Sequence, residues 1–416
     1  MRLGNPAMTL RSRTQPTGIR MASDTSSLAF AAAPRRLFWG WRKPRSIGLV
    51  SPSYGTEKVS YGLAPAGYSF HKLFRLPLQR LEKKGTFWHN TPILLDHPVS
   101  LVHTLNEIPA GSCPFVVSFE NELPRYLGEP PAWQLDAGYR LLESDRCRQI
   151  LGLSDIAARG LRERLQRRGL GQLASKVSVF RGSVMTLPVP TGQARQPRRQ
   201  GPLRLLFVGR YAFRKGLLPT LDALDDCRAQ GADVQATVVC DFDNRGNKNE
   251  TRYVNKAATL ERMAQMPGLT HHPRLPNAKI HQLMRSHDVL LFPTLDESLG
   301  LVAVEAGLAG MPIITTDTYA LPELVVHGQT GFLIPLNKNE TSRWVGRWLE
   351  GKALDHEVEQ VFTTTRTHLT EAILKFFNNP ALVSTMGERS QTHISALYDP
   401  NLARQKLGAI YDAAIG

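Results

Sequence analysis

The sequence has no long apolar run: among its 416 residues there is no stretch of eighteen or more consecutive apolar residues. A helix that crosses a bilayer needs about 20 such residues, so no transmembrane helix is predicted. Cysteine is scarce as well, with four widely spaced residues and no CxxC pair: Cys113, Cys147, Cys227 and Cys240. This pattern disfavours a disulfide framework and a zinc site, and it predicts buried free thiols in a reducing, cytoplasmic compartment.

Acidic residues are few in the first half of the chain. Residues 1–200 hold 29 Lys and Arg against 13 Asp and Glu, a net charge of +16, whereas residues 201–416 hold 22 against 23, a net charge of −1. A basic half attracts nucleic acid, an anionic membrane surface or an acidic substrate. Because the sequence has neither a recognised nucleic-acid motif nor aromatics interleaved with the basic clusters, we expect no nucleic-acid partner. We expect instead that the protein is cytoplasmic and contacts the inner, anionic face of a membrane peripherally.

The first 45 residues are predicted to be a leader. They are poor in acidic residues and rich in Arg, Ser, Thr and Ala. Three explanations stay open: a targeting segment, a disordered leader, and a true start at Met21. Within the leader, residues 35–43 (RRLFWGWRK) place aromatic rings beside cations, which suits a membrane interface and equally the solvated flank of an entry strand.

Residues 46–188 alternate short apolar strands with helices. Strands are predicted at 46–51, 92–95, 100–105, 114–118 and 176–180, and helices at 69–84, 135–149 and 156–167. This alternation indicates parallel pairing and an α/β fold, with a first Rossmann-like domain over residues 46–188. Residues 189–202 (VPTGQARQPRRQGP) lack apolar periodicity and hold three prolines, two glycines and three arginines, which predicts a linker.

Residues 203–400 show the same alternation more regularly. Strands are predicted at 203–208, 233–240, 269–271, 289–293, 312–315 and 331–334, with helices at 217–230, 256–266, 278–286, 299–309 and from 322. This is the pattern of a second doubly wound domain, in which ligands bind at the carboxyl ends of the strands. Residues 401–416 are predicted to form a terminal helix.

The first candidate site element follows the strand at 203–208. Gly209 lets the backbone turn sharply, and Arg210 and Lys215 stand five residues apart across that turn. Arginine grips phosphate oxygens with two hydrogen bonds and lysine acts as a point charge, so the pair can converge on one anion. Fixed cations beside a leaving pyrophosphate lower the barrier to its departure. Taken alone, two basic loop residues are more often simply solvated.

The second element, PTLDESLGLVAVEA, follows the strand at 289–293. Glu297 and Glu305 are separated by seven residues, and two carboxylates can accept hydrogen bonds from two polyol rings, such as a sugar and a ribose. Gly300 permits close backbone approach at the first turn of the helix, where free N–H groups face an anion. The alternative is a capping Glu297 and a solvent-exposed Glu305, but the apolar neighbours of Glu305 disfavour exposure.

The segment Leu203–Pro335 resembles the retaining GT-B glycosyltransferases of the glycosyl transferase group 1 type, often called family 4. The resemblance rests on GR-x4-KG after a strand, then HDVLLFPT, Glu-x7-Glu, GLAGMPIITTD and PELVVHGQTGFLIP, in the expected order. It implies two Rossmann-like domains that face a cleft, with a nucleotide-sugar donor held by the second domain. It also implies that the terminal helix crosses back to the first domain, as it does in many members.

The resemblance also implies a role for each candidate residue. Arg210 and Lys215, at the turn of Gly209, bind the diphosphate. Glu297 contacts the donor sugar and Glu305 holds the ribose. The remaining donor contacts are the backbone at Gly300 and Leu301 and the nucleobase loop Arg274–Pro276, which includes Leu275.

Several features depart from the family pattern. Ala320 stands where a glycine is usual, residues 337–368 make a longer link, and Ser53-Tyr54-Gly55 replaces the glycine-rich loop after the first strand. From the first domain, His103 in LVHTLNEIP is a candidate catalytic residue, and Glu120 in VVSFENELP is a second candidate to line the cleft. A lone histidine after a strand is, however, more often structural.

The resemblance therefore implies a retaining glycosyltransferase that moves a sugar from a nucleoside-diphosphate sugar to a polysaccharide, lipid-linked or other acceptor, with the acceptor on the side of the first domain. No metal and no cofactor besides the donor is expected. Two alternatives stay open: a nucleotide-sugar-binding protein of the same fold without turnover, and another nucleotide-sugar enzyme such as an epimerase or phosphorylase.

Overall fold

Two parallel six-stranded sheets carry the fold in this computed structural model. Pro44–Gly416 form one compact unit. The predicted leader and linker lie almost entirely outside the described residues, and so does Ser53-Tyr54-Gly55. The structure describes residues 45–50, 60–62, 64–82, 87–95, 98–126, 130–183, 201–242 and 248–416.

The first sheet has the strand order β2-β1-β3-β4-β5-β6, and all of its neighbouring strands are parallel. The strands β3 and β4 are buried along their whole length, as central strands are when helices cover both faces. The strands are β1 (Arg45–Val50), β2 (Tyr68–Leu73), β3 (Leu101–Leu105), β4 (Phe115–Phe119), β5 (Cys147–Gly152) and β6 (Val177–Val179). The α-helices of this half whose bounds lie within the described residues are α1 (Phe87–Asn90), α2 (Ala132–Glu143), α3 (Asp155–Arg167) and α4 (Gly171–Ala174).

The helix predicted at residues 69–84 is wrong. All six residues of β2 pair with β1, from Tyr68 opposite Arg45 to Leu73 opposite Val50. In the described residues that follow, up to residue 82, the chain forms a short 3-10 helix, Leu78–Arg80, directly after Pro77. Apolar residues at helical spacing therefore belong to an edge strand and the loop that follows it.

Two further predictions in this half need correction. A helix was expected at 135–149, but the observed helix α2 ends at Glu143. Residues 147–149 belong instead to β5, which lies between β4 and β6. Because Ile150 and Leu151 fill the sheet interior with zero exposure, the apolar residues here belong to a core strand. Residues 92–95 form isolated bridges rather than a strand in this sheet.

The second sheet has the strand order β12-β11-β10-β7-β8-β9, again all parallel. All six strands predicted for this half are confirmed. The order reverses between β7 and β10, and such a switch point is where doubly wound sheets bind ligands. The strands are β7 (Leu203–Val208), β8 (Val234–Val239), β9 (Leu269–His272), β10 (Val289–Phe292), β11 (Ile313–Thr316) and β12 (Gly331–Ile334).

Helices cover both faces of the second sheet. The long link noted in the sequence holds a 3-10 helix, Val345–Arg347, and the first part of α11, which is 28 residues long. Among the described residues, none of the helices combines the length and the apolar composition that a bilayer span requires. The helices are α5 (Leu217–Ala229), α6 (Lys248–Arg252), α7 (Lys256–Gln265), α8 (Asn277–Ser286), α9 (Leu301–Leu308), α10 (Leu321–Leu324), α11 (Gly351–Asn378) and α12 (Ala381–Leu397).

The last helix, α13 (Pro400–Ile415), packs against the first sheet although it follows the second domain in sequence. Leu407 and Tyr411 are buried in one apolar core together with Ile47 and Leu101 of the first sheet. At the rim, the Tyr68 hydroxyl donates to a carboxylate oxygen of Asp412 at 2.7 Å. The chain therefore returns to the half in which it began.

Candidate functional site

The loops after β7 and β10 press against each other at the switch point of the second sheet. Gly216 ends the first loop with a left-handed φ of +73°, and a Cβ atom there would lie 2.3 Å from the carbonyl oxygen of Pro293. A Cβ on Gly209 would lie 2.8 Å from Cγ of Lys215. Glycine at these two positions therefore lets the loops close around the Lys215 side chain.

Lys215 is buried, with 7% of its surface exposed, and its ammonium meets the second loop. Its Nζ donates to a carboxylate oxygen of Glu297 at 2.5 Å and to the Thr294 hydroxyl at 3.4 Å. The ammonium also lies 4.8 Å from the ring centroid of Phe292, the last residue of β10. Two residues that the sequence placed in separate elements, 82 positions apart, thus form one ion pair.

The charge state of Glu297 is set by its neighbours. Burial raises the pKa of the Glu297 carboxyl, but the Lys215 ammonium and hydrogen bonds outweigh burial and lower that pKa below its ordinary value. One of these bonds comes from the backbone N–H of Ser298, at 3.0 Å from a Glu297 oxygen. Glu297 is therefore ionised at neutral pH and available as a hydrogen-bond acceptor.

Arg210 projects from the same loop as Lys215 but is exposed. Its guanidinium makes no hydrogen bond or ion pair within the part of the chain that the structure describes. Lys215 and Arg210 are thus two cations of different kinds, one fixed in an ion pair and one open to solvent. An anion at this loop would meet both.

Glu250, on α6, shapes this loop and was missed from the sequence. It is buried, and its carboxylate oxygens accept the backbone N–H groups of Phe213 at 2.9 Å and Arg214 at 3.1 Å. Burial raises the pKa of Glu250 above its ordinary value, against the two N–H bonds and the Arg214 charge, which lower it. In the sequence Glu250 is a single glutamate within a polar stretch. No motif or periodicity there distinguishes it from a surface residue.

Gly300 places the start of α9 beside Glu297. Its φ is +74°, and a Cβ there would lie 2.7 Å from a methyl carbon of Leu321. Gly300 precedes α9, whose first residue is Leu301, so the first N–H groups of this helix have no acceptor within it. A Cβ on Gly300 would lie 3.7 Å from Cγ of Glu297. This end of the helix favours a negative charge.

Glu305 lies one turn further along α9 and faces α8. The ring of His281 lies beside it, with Nε2 at 3.8 Å from a Glu305 oxygen, too far for a hydrogen bond. His281 is buried, and its Nε2 has no hydrogen-bond partner among the described residues. Glu305 is about one fifth exposed and therefore keeps acceptor capacity for a ligand.

The predicted nucleobase loop follows β9. The Arg274 Nε donates to Asp241, directly after β8, at 2.8 Å, while 65% of the Arg274 side chain stays exposed. Leu275 is partly buried and packs against the apolar core that contains α9. Arg274 and Leu275 thus stand at the carboxyl edge of the same sheet as Lys215 and Glu297.

His103 does not face the cleft, which corrects the expectation of a catalytic role. It has zero exposure, and its two ring nitrogens bond to the hydroxyls of Tyr411 and Ser118, both at 2.8 Å. Burial lowers the pKa of His103 to about 3, so the ring is neutral. A histidine that joins the terminal helix to the first sheet is structural.

Glu120, the other candidate from the first domain, lies at the carboxyl edge of β4 but is mostly buried. One of its oxygens accepts hydrogen bonds from Arg125 at 3.2 Å and Asn106 at 3.3 Å. The next residue, Asn121, donates from its amide to the Ser298 hydroxyl at 2.8 Å. The edge of β4 therefore touches the loop that carries Glu297.

Tyr319, next to the atypical Ala320, also joins the two halves. Its φ of +47° is the left-handed region that favours glycine. Its ring is buried, its hydroxyl donates to the carbonyl oxygen of Asn121 at 3.1 Å, and the Arg343 guanidinium lies 4.0 Å from the ring centroid. Arg343, which belongs to the long link at residues 337–368, also donates to Asp296 at 2.6 Å. The link therefore holds Asp296, the residue next to Glu297, in place.

Glu323, in the PELV segment, caps a helix of the first half. Its two carboxylate oxygens accept the backbone N–H groups of Asp155 at 2.9 Å and Ile156 at 2.8 Å, at the start of α3. Arg181 donates to the same carboxylate at 2.9 Å. A negative charge at a helix start is stabilising, and here it is supplied by the other domain.

Comparison with sequence families supports the resemblance in the second half. Residues 191–362 match the family described as Glycosyl transferases group 1. A glycogen synthase of Mycobacterium tuberculosis is 27% identical over 286 residues, which is 67% of this chain. The chain spans 64% of that relative's length, less than two thirds.

Comparison with solved structures confirms the fold. A sucrose-phosphate synthase from Thermosynechococcus elongatus has a TM-score of 0.56 at 16% identity, covering 88% of this chain and 98% of its own. The Anabaena protein HepE in complex with UDP has a TM-score of 0.54 at 16% identity, covering 89% of this chain and 100% of its own. The expected GT-B arrangement of two doubly wound Rossmann-like domains is thereby confirmed.

Proposed function

We propose, from the match of residues 191–362 to the group 1 glycosyl transferases, that the chain transfers a sugar from a nucleoside-diphosphate sugar. The donor is bound at the carboxyl edge of the second sheet. UDP is the first nucleotide to test, because HepE, which shares the fold, was crystallised with it. The acceptor, a polysaccharide, a lipid-linked sugar or another hydroxyl compound, approaches from the first domain.

The contact between Lys215 and Glu297 carries this proposal. It joins a cation and a carboxylate at the switch point, 2.5 Å apart, directly beside the start of α9. A diphosphate needs positive charge and hydrogen-bond donors, and a sugar needs a carboxylate acceptor. The Lys215 ammonium and the Glu297 carboxylate supply these two kinds of contact side by side. This pairing supports a donor in which a sugar is attached to a diphosphate.

The residues of the proposed site divide the work. Lys215, Arg210 and the N–H groups at Gly300 and Leu301 stabilise the charge that grows on the diphosphate as the bond to the sugar breaks. Glu297, ionised because Lys215 lowers its pKa, orients the sugar hydroxyls. When the diphosphate arrives, the Lys215 ammonium is shared between it and Glu297.

The ribose and base occupy the outer part of the site in this proposal. Glu305 accepts the ribose hydroxyls, and Arg274 and Leu275 flank the base at the end of β9. Gly209 lets the backbone pass close to the phosphates. Retention of anomeric configuration, independence of metal ions and a cytoplasmic location at the inner face of the membrane are part of the same proposal.

The test combines binding with turnover. UDP affinity is measured by calorimetry, and hydrolysis of UDP-glucose, UDP-N-acetylglucosamine and GDP-mannose is followed by product release. Arg210→Ala and Glu305→Ala are each expected to weaken UDP binding at least about tenfold, since each removes a charged hydrogen-bond partner. The anomer of the first product, read by NMR, checks retention.

Arg285→Ala is the matched control for Arg210→Ala. Arg285 is an exposed arginine in the last turn of α8, just before β10, so it lies at the opposite edge of the sheet. It is expected to bind UDP as the wild type does. An equal loss of UDP affinity in Arg210→Ala and Arg285→Ala would mean that only the net charge of the protein matters. Unchanged UDP affinity in Arg210→Ala and Glu305→Ala would refute the site. Binding without any hydrolysis or transfer would favour the alternative of a binding protein.

A further inference from the structure

A two-stranded antiparallel ribbon extends beyond β2 in the first half. The backbone N–H of Leu76 donates to the carbonyl of Ile93 at 3.0 Å, and that of Leu95 donates to Phe74 at 3.0 Å. These two bonds flank an antiparallel bridge between Arg75 and Leu94. In this register Phe74 lies opposite Leu95 and Leu76 opposite Ile93, so these four side chains share one face. We call this face the apolar ribbon.

The other face of the ribbon is already engaged with the protein. Leu94 packs against the core of the first domain, and the Arg75 guanidinium donates to Glu107 at 2.9 Å. The alternation of side chains along a strand then turns the apolar ribbon outward. Phe74 is 65% exposed, Leu95 49% and Leu76 36%.

Exposed large apolar residues are concentrated in this part of the fold. Leu81, four residues past Pro77, is 81% exposed and extends the surface beyond the 3-10 helix. A surface strand normally presents polar side chains to water, so several apolar ones together indicate a contact surface. Elsewhere among the described residues, three large apolar side chains are exposed to a similar degree, and they lie on separate elements: Trp133 on α2, Trp348 in the second domain and Leu402 on α13.

Cations surround the apolar ribbon. The Lys72 ammonium lies 5.8 Å from the ring centroid of Phe74, and Arg80 is exposed at the end of the 3-10 helix. Among the residues of 68–95 that the structure describes, Lys72, Arg75 and Arg80 outnumber the single acidic residue, Glu82. Apolar side chains flanked by cations match the interface of an anionic bilayer, in which acyl chains lie beneath negative headgroups.

We propose that the apolar ribbon docks the first domain onto an anionic lipid bilayer, with Phe74, Leu76 and Leu95 entering the interface and Lys72 and Arg80 contacting the headgroups. This inference gives the membrane contact of the proposed function a location, but it does not depend on sugar transfer. Arg75 and Glu107, on the inner face of the ribbon, follow the carboxyl ends of β2 and β3. An acceptor held at that edge would therefore be reached from the bilayer surface.

The test is co-sedimentation of the full chain with lipid vesicles. Wild type is expected to bind vesicles of phosphatidylglycerol and phosphatidylcholine but not vesicles of phosphatidylcholine alone, and high salt should release it. The double variant Phe74→Ser/Leu95→Ser should lower the partition constant at least about tenfold, because two large apolar groups no longer enter the interface. Lys72→Gln/Arg80→Gln should lower it and weaken its salt dependence.

Trp348→Ser is the matched control. Trp348 is 55% exposed but lies in the second domain, so its loss should leave vesicle binding unchanged. The proposal is overturned if the wild type ignores anionic vesicles or if Phe74→Ser/Leu95→Ser binds them as the wild type does. It is also overturned if light scattering shows that the double variant merely dissociates a dimer. UDP affinity, measured on the same samples, reports on the donor site separately.

Discussion

The carboxylate of Glu323 accepts two backbone N–H groups from the start of α3, at Asp155 and Ile156, and so caps a helix of the opposite domain. Glu323 and Ile156 are 167 residues apart in sequence. The PELV segment of the second domain thus fixes the edge of the first. Because the cleft lies between the two domains, the contact of Glu323 with α3 limits how far the cleft can open.

We expect Glu323→Ala to lower the free energy of unfolding by about 1–2 kcal/mol, since α3 loses its carboxylate partner and Arg181 loses one of its anions. The two domains should also move more freely, which small-angle scattering would report as a larger radius of gyration. Glu340→Ala is the control, because the one ion pair of Glu340 with the described residues is an exposed 3.7 Å contact with Arg167. Such a surface pair is worth little. Equal effects in the two variants would contradict the capping role.

Lys215→Ala should reduce UDP affinity at least about tenfold and also lower the free energy of unfolding by about 3 kcal/mol, because Glu297 would keep a nearly buried charge without its partner. Calorimetry and urea unfolding measure the two effects. The double variant Lys215→Met/Glu297→Gln removes both charges and should regain most of the stability but none of the UDP affinity. A fully stable Lys215→Ala variant would show that the ion pair is not buried in solution.

Glu107 gives the fold a dependence on pH. Burial raises the pKa of its carboxyl from 4.5 to about 7, although the nearby Arg75 guanidinium lowers it. The folded state therefore binds this proton more tightly than the unfolded chain. The resulting stabilisation is complete below pH 4.5 and is lost as the pH rises to about 7.

We expect Glu107→Gln to abolish this pH dependence. The difference in free energy of unfolding between wild type and variant should change by about 3 kcal/mol across that pH window and stay constant above it. Urea unfolding of both proteins at several pH values measures this difference, in which all other titrating groups cancel. A difference that does not vary with pH would mean that Glu107 is solvated.

Tyr411→Phe should lower the free energy of unfolding by about 1–3 kcal/mol, because the ring nitrogen of His103 loses its partner in a fully buried place. UDP affinity should stay unchanged, since neither residue is part of the proposed site. Tyr68→Phe is the control: it removes a hydroxyl bonded to Asp412 at the exposed rim, and its effect should be smaller. A loss of UDP affinity in Tyr411→Phe would reopen a functional role for His103.

The second sheet was predictable strand by strand, whereas in the first sheet β1, β3, β4 and β6 were predicted but β2 and β5 were not. In the second, β7 and β10 are apolar runs that end at glycine or proline, and the motifs with Lys215 and Glu297 follow them directly. In the first, the residues of β5 also fit a helical face, and the edge strand β2 has only one fully buried residue, Leu73. Local periodicity could not separate these cases, since pairing with distant strands decided them.

The same limit applies to the candidate site. Residue type and spacing, together with the family resemblance, led to the proposal of Arg210, Lys215, Glu297 and Glu305, and the fold brings Lys215 and Glu297 into contact. They could not predict that Glu250 holds the first loop, because that hydrogen bond joins residues 37 apart through an intervening strand. Nor could the sequence pattern show that the Tyr411 hydroxyl, 308 residues away, is hydrogen-bonded to the His103 ring.

The return of α13 to the first sheet has a consequence for biosynthesis. Ile47 and Leu101 leave the ribosome long before Leu407 and Tyr411, which complete their shared core. Until those late residues are translated, the nascent first domain exposes an unfinished apolar surface and must be shielded from aggregation. A premature stop codon before α13 would therefore disable the domain that was made first, even though its own coding region is intact.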